Sequence, residues 1–207
     1  MLAFGQAAGF LVAAVLITLA PGPDNLMVLG LGLSRGRRLG MVFGLGCALG
    51  CISHTLLAAF GISAMIAASP ALFAVFKVAG GLYLVWLGIK AFRRNGQTRV
   101  STETGGGTGR SLFLRGLFAN AINPKVALFF LAFLPQFIAP ARGMVWWQTI
   151  QFGLLFTVQA AILFAVIGYF SGHVGQWIAR KPAAGRWLDR LSGGVFMLFG
   201  ARLILAR

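Results

Sequence analysis

Three acidic side chains and two cysteines are all that 207 residues hold of their kinds, and only 10% of the chain is charged. Soluble domains carry about a quarter charged residues, so the shortage excludes an ordinary water-soluble fold. It also argues against hydrolytic chemistry. Serine and histidine occur, but no acid is placed to complete a triad, and no nucleotide-binding glycine loop follows a strand. The chain therefore reads as a non-enzyme that needs no cofactor. Its two cysteines, Cys47 and Cys51, lie within one helical turn, where a disulfide is geometrically poor, so they say nothing about redox compartment. A basic leader region is missing too. The first charged residue is Asp24 and the first basic one is Arg35, which argues against a cleaved signal peptide.

What the chain does have is apolar length. It is 58% hydrophobic with a mean hydropathy of +0.86, the composition of an integral membrane protein. Its net charge of +15 would suit nucleic acid in a polar protein. Here it is better explained by Lys and Arg holding loops on the cytoplasmic side of a bilayer.

A spanning helix needs about 20 mainly apolar residues. Six regions qualify, near 4–34, 39–64, 71–92, 112–138, 144–170 and 188–206. The expected fold is an all-α integral membrane protein with six transmembrane helices in a single transporter domain over 1–207. The polar stretch 95–111, rich in Gly, Ser and Thr, reads as a flexible cytoplasmic loop. It separates a first half of about 1–94 from a second of about 112–207. Arg35, Arg37 and Arg38, then Lys90 to Arg115, then Arg180 to Arg190 cluster in alternate loops, which places both termini outside.

Two helices are interrupted. Pro21-Gly22-Pro23-Asp24-Asn25 breaks the first and Asn123-Pro124-Lys125 breaks the fourth. Proline removes a backbone donor and clashes with the preceding turn, so each segment should split into half-helices with unpaired backbone groups at the seam. Gly80-Gly81 and Gly88 in helix 3 are echoed by Gly193-Gly194 and Gly200 in helix 6. Two halves of three helices lie in opposite orientations, giving inverted repeats with a site expected at their interface near the midplane. Asn25 is ten residues before Arg35 and Asn123 eight after Arg115. At 1.5 Å per residue both breaks fall near the middle of a core of about 30 Å.

Two formal charges, Asp24 and Lys125, are read as lying deep, and each belongs to a break. An intramembrane ionisable residue points to function by default. Asp24 and Asn123 could each instead cap a half-helix; capping suits Asn123, but neutral Asn would serve as well at position 24 without a buried charge. Free N–H groups after each break suit a carboxylate, and Asp24 suits an ammonium group or a proton. Together they describe an amino acid zwitterion. Lys125 either binds carboxylate or gates, or it forms a salt bridge that neutralises Asp24. Asn120 lies three residues before Asn123 on the same helix face and is expected to line the site.

Cys47, Cys51 and His54 share a face of helix 2 and could hold a metal. Small residues around them favour inert, packed thiols. His54 reads either as a lining residue or proton relay, or as an imidazole bonded to a neighbouring helix. Gln159 reads as cavity lining or interhelical glue, Gln136 and Tyr83 are further polar groups near spans, and the Gly40-x3-Gly44 face is compatible with a homodimer. A passive channel or a non-transporting scaffold subunit would also fit the packing faces, though the scaffold leaves the buried Asp24 unexplained.

PGPDN, the run GGLYLVWLGIK in helix 3 and FLRGLFANAINPKVALFFLAFLPQF across helix 4 together resemble the LysE/RhtB family of amino acid exporters. The likeness spans the whole chain. It implies export of amino acids or close derivatives across the bacterial inner membrane, driven by the proton motive force, with protons and a small amino acid as partners. The family's motifs fall on Pro21, Gly22, Pro23 and Asp24, and on Asn120, Asn123, Pro124 and Lys125, and its second helix often carries histidine where His54 stands. The wider superfamily also resembles metal exporters, which keeps Cys47, Cys51 and His54 open as an alternative ligand set.

Overall fold

The computed structural model describes residues 2–94, 107–180 and 182–205. Every regular element among them is helical. α1 (Phe4–Leu19) stops ahead of Pro21, and α2 (Pro23–Arg35) restarts with proline at its first position, where the missing N–H costs nothing. The two helices are bent by 57° at this break. Gly36, at φ 91°, then turns the chain into α3 (Arg37–Ala68), a conformation that side chains resist. α4 is Pro70–Arg93.

The second half repeats the device. α5 (Gly109–Ala121) is capped by Thr108, whose hydroxyl accepts from the Ser111 amide at 3.3 Å. Residues 109–111 thus belong to the helix rather than to the expected loop, whose positions 95–106 lie outside the described residues. α6 (Pro124–Leu128) follows the second break and runs on as a π turn, Phe129–Phe133, and a 3-10 turn, Leu134–Phe137. Across the break the segments bend by 47°. α7 is Val145–Tyr169, α8 Ser171–Arg180 and α9 Pro182–Leu205. α8 was not expected, and α9 begins at Pro182, ahead of the expected residue 188, because proline is a ready helix start.

Arg37–Gly61, Phe73–Arg93 and Val145–Tyr169 are long and apolar enough to cross a membrane, and the two bent pairs raise the number to as many as five. α9 is 24 residues long but carries Asp189, Arg190 and Arg202 along its apolar stretch. Outward faces are apolar, as lipid requires: Phe60, Leu82 and Ile162 are all exposed. The chain is a multi-pass membrane protein.

Helices approach closely where glycine removes the side chain. A Cβ on Gly81 would lie 3.0 Å from the Gly200 carbonyl and one on Gly200 2.7 Å from that of Gly81; Gly88 and Gly193 meet in the same reciprocal way, so α4 and α9 pack antiparallel. α3 and α7 are also antiparallel, Gly44 lying under Phe164 and Gly153 against Thr55. Gly40 abuts Gly32 and the Val28 carbonyl of α2. The Gly40/Gly44 face offered for a homodimer is therefore occupied within the chain.

One end of the core is aromatic. Phe10 of α1 packs on Phe137 (5.4 Å between centroids, edge-on) and Phe152 (4.7 Å), and Phe129, Phe133 and Phe199 continue the cluster. Gln6 donates to the Phe137 carbonyl at 3.1 Å, tying α1 to the turn, and the Arg202 guanidinium lies 5.7 Å over the Phe133 ring. The cluster closes one side of the breaks with tight packing.

Candidate functional site

The two breaks meet, and each supplies what the other lacks. Asp24 is the second residue of α2 and only 2% exposed. The helix cap is Gly22, with no side-chain bond, so Asp24 does not cap its own helix. Its Oδ2 instead accepts from Asn120 Nδ2 at 2.7 Å and Asn123 Nδ2 at 2.9 Å, both from the far break. Asn123 does cap: its Oδ1 accepts from the Lys125 amide at 3.0 Å, so one side chain ends the break and holds Asp24.

Lys125 reaches the other way. Its buried ammonium donates to the carbonyls of Ala20 at 3.0 Å and Ile17 at 3.2 Å, groups that the end of α1 leaves without helical donors. The alternative of a salt bridge onto Asp24 is not met, because Lys125 is seated on the backbone and no ion pair joins the two residues. Gly22 makes room for it: a Cβ there would lie 3.0 Å from Lys125 Nζ. Pro21 lacks the N–H that would reach back to the Ile17 carbonyl, and Pro23 and Pro124 open α2 and α6 at their first positions.

Further polar groups surround this core. Asn25 Nδ2 donates to the Thr18 carbonyl at 2.8 Å, and Gln159 Nε2 to the Thr18 hydroxyl at 2.9 Å, so Gln159 does bridge helices. Asn25 Oδ1 and Gln159 Oε1 are buried without a hydrogen-bond partner. His54 Nε2 lies 2.9 Å from the Asn120 carbonyl, which makes it the donor nitrogen and leaves Nδ1 a buried acceptor without a partner. The Cys51 thiol donates to Asn120 Oδ1 at 3.4 Å. Both cysteines are free and buried. The alternative metal site at Cys47, Cys51 and His54 is not formed: Asn120 takes up both Cys51 and His54, and no group of three or more metal-ligating side chains is assembled among the described residues. Gln136 lies apart, in the 3-10 turn, with its Nε2 buried and unpaired, and Tyr83 stacks on Trp86 at 5.3 Å, away from the breaks.

Two cavities border both breaks; a third, about 230 Å³, touches only the first, at Pro21 and Asn25, and is otherwise lined by apolar side chains such as Leu26, Leu29 and Ile167. The smaller of the two, about 10 Å³, touches Asp24, Asn120, Thr18 and Lys125, room for about one water. The larger, about 130 Å³, lies on the other side of the breaks. Its floor is Pro21 to Pro23 and Asn123 to Lys125, and its walls are α4 (Leu87, Lys90, Ala91) with Arg94 just past its end, and α9 (Asp189, Ser192, Phe196). Lys125 borders both cavities.

Sequence reasoning missed Asp189. It placed only Asp24 and Lys125 deep, yet Asp189 is 3% exposed. The signal was available, since Asp189 is one of three acids in the chain and stands between Leu188 and Leu191 at the mouth of an apolar run. Thr18 was also missed, because an ordinary threonine in an apolar helix carries no mark of the carbonyl it offers.

Known proteins resemble this chain over nearly its full length. Residues 15–207 match the family model described as LysE type translocator. An uncharacterized membrane protein of Vibrio cholerae is 33% identical over 96% of both chains. A homoserine/homoserine lactone efflux protein of Salmonella typhimurium is 29% identical over 96% of this chain and 95% of its own. A leucine efflux protein of Enterobacter is 33% identical over 94% of this chain and 92% of its own. No solved structure matches. With a family match across almost all of its length and full-length relatives at this identity, the chain belongs to the LysE type translocator family.

Proposed function

We propose that this protein exports amino acids or close derivatives across the bacterial inner membrane in exchange for protons, by alternating access at the crossed breaks. The observation that carries the reading is the reciprocal exchange: Asp24 held by Asn120 and Asn123, Lys125 held by the carbonyls of Ile17 and Ala20. Charge is kept at this depth because it moves something. The relatives' names supply the class of cargo, homoserine or its lactone in one and leucine in another.

Asp24 is the proton-carrying group. As a carboxylate it accepts from two amide donors, both at Oδ2; protonation at Oδ1 leaves Oδ2 an acceptor but removes the charge that strengthens both bonds. Proton binding thus loosens the link between α2 and the second break, biasing one of two conformations. The space beside Asp24 holds about one water, enough for a proton path and too small for cargo.

The six spans are α1 with α2, α3, α4, α5 with α6, α7 and α9, arranged as two inverted three-helix repeats. Equivalent members pair antiparallel, α3 with α7 and α4 with α9, as an axis in the membrane plane requires. Both termini then lie outside, a reading supported by the basic residues of alternate loops. The larger cavity then opens to the cytoplasm past Lys90 and Arg94, and the aromatic cluster seals the outer side.

The test is efflux from proteoliposomes loaded with the twenty common amino acids and homoserine, with and without an imposed pH gradient. Gradient-stimulated release of one or a few amino acids is the expected result. Release that ignores the gradient would remove the proton coupling, and no release from well-inserted protein would remove the exporter reading.

A further inference from the structure

The larger cavity contains a charge pattern that the crossed breaks do not use. Asp189, Ser192 and Phe196 succeed one another at helical spacing along one stripe of α9. Opposite them, Leu87, Lys90 and Ala91 of α4 and Arg94 just past its end form the matching wall. The acid is nearly buried, in a helix that otherwise excludes acids, and Ser192, also buried, donates to the Leu188 carbonyl at 2.8 Å, which leaves its oxygen able to accept. By the measure on which one water needs about 10–15 Å³, the space is large enough for roughly ten waters or one small organic molecule.

We propose that this cavity is the loading site of the exporter and that Asp189, not Asp24, binds the ammonium group of the cargo. The proposal rests on the export reading above and deepens it. Acid and hydroxyl stand on one wall, cationic side chains on the other, and the floor carries the Lys125 side of the crossing. That is the complement of a zwitterion whose ammonium faces α9 and whose carboxylate faces Lys90, Arg94 or Lys125. The remaining wall, Leu87, Ala91 and Phe196, is apolar and suits an uncharged side chain, so the cargo class is a small α-amino acid of that kind. Asp24 sits behind Lys125 in a space too small for cargo. Lys125, bordering both spaces, is placed to sense cargo on one side and the Asp24 charge on the other.

The proposal separates two carboxylates by role, and cargo chemistry can read that separation. For each amino acid that the wild-type protein exports from the loaded mixture, the 2-hydroxy acid with the same side chain is the matched probe without an ammonium. In Asp189→Asn, KM for the amino acid should rise about tenfold or more, the loss expected for a hydrogen bond between charged groups. KM for the hydroxy acid should stay within about twofold, because it lacks that contact, and so should the maximal rates, because a contact made equally before and during transfer changes KM alone. Asp189→Glu, which keeps the charge, should recover much of the difference. Equal effects on both probes, or none on either, would overturn the assignment and leave Asp189 a packing residue. Should Asp189→Asn fail to insert, Ser192→Ala is read in its place, with a smaller rise confined to the amino acid expected and an equal change for both probes counting against the site. Absence of amino acid export by the wild-type protein would instead overturn the exporter reading itself.

Discussion

The two breaks share a geometry and differ in chemistry. The first is made by Pro21, Gly22 and Pro23 and has no side-chain cap; the second is made by Asn123 and Pro124 and caps itself. The first delivers an acid to its partner and the second a base. The second break is therefore locally complete and lends out spare amide donors, whereas the first depends on Lys125 to satisfy the carbonyls of Ile17 and Ala20. A repeated backbone device has been given opposite charges, and the half that cannot complete itself is the half that carries Asp24. In the proposed exchange, the difference suits the first break to the mobile role and the second to the anchoring one.

The strongest way to sharpen that contrast is Asp24→Asn. Asparagine can still accept one of the two amides, so insertion and thermal midpoint should hold while gradient-driven export in proteoliposomes falls about 100-fold or more, the scale of losing a proton-transfer group. Unchanged export would end the idea that Asp24 carries the proton. Lys125→Met should do the reverse to stability. It strands two buried carbonyls and should lower the unfolding free energy by about 2 kcal/mol, visible as a lower thermal midpoint in detergent; a midpoint equal to that of Asp24→Asn would erase the asymmetry.

Within the second break, Asn123→Ala should cost about 1 kcal/mol more than Asn120→Ala, because only Asn123 also caps α6. Combining each with Asp24→Asn in a double-mutant cycle should remove the part they share and leave the cap. The smallest effect is expected away from the breaks. Gly194 has nothing within 4 Å of an added Cβ, so Gly194→Ala should change stability by less than about 1 kcal/mol, in the favourable direction for a helix. Gly200→Ala, driven into the Gly81 carbonyl, should lower the midpoint in the same assay.

Proline made the breaks legible in sequence, since its missing donor acts in any environment. Asp24 was legible because a buried charge is expensive in lipid. The seat of Lys125 was not, because its partners are the backbone carbonyls of Ile17 and Ala20, and carbonyls leave no trace in residue identity. Asp189 escaped because it lies at the edge of an apolar run, where charges usually belong to the interface. The stripe of Cys47, Cys51 and His54 was legible as spacing and misleading as chemistry: Asn120, distant in sequence, engages both Cys51 and His54. The aromatic cluster was hidden among 19 phenylalanines that any apolar helix could use.

That cluster also shapes the electric field. An open cavity past Lys90 and Arg94 brings the potential of its own side up to the breaks, while the packed rings of Phe10, Phe133 and Phe137 conduct nothing. The membrane voltage then falls mainly across the aromatic layer instead of evenly over the bilayer. One elementary charge crossing the full drop exchanges about 2.3 kcal/mol per 100 mV. In the proposed exchange, a proton released from Asp24 into the cavity in this conformation traverses little of that drop, and the rest is crossed when the seal changes sides. Voltage should therefore act on the change of conformation and leave the proton's departure almost untouched.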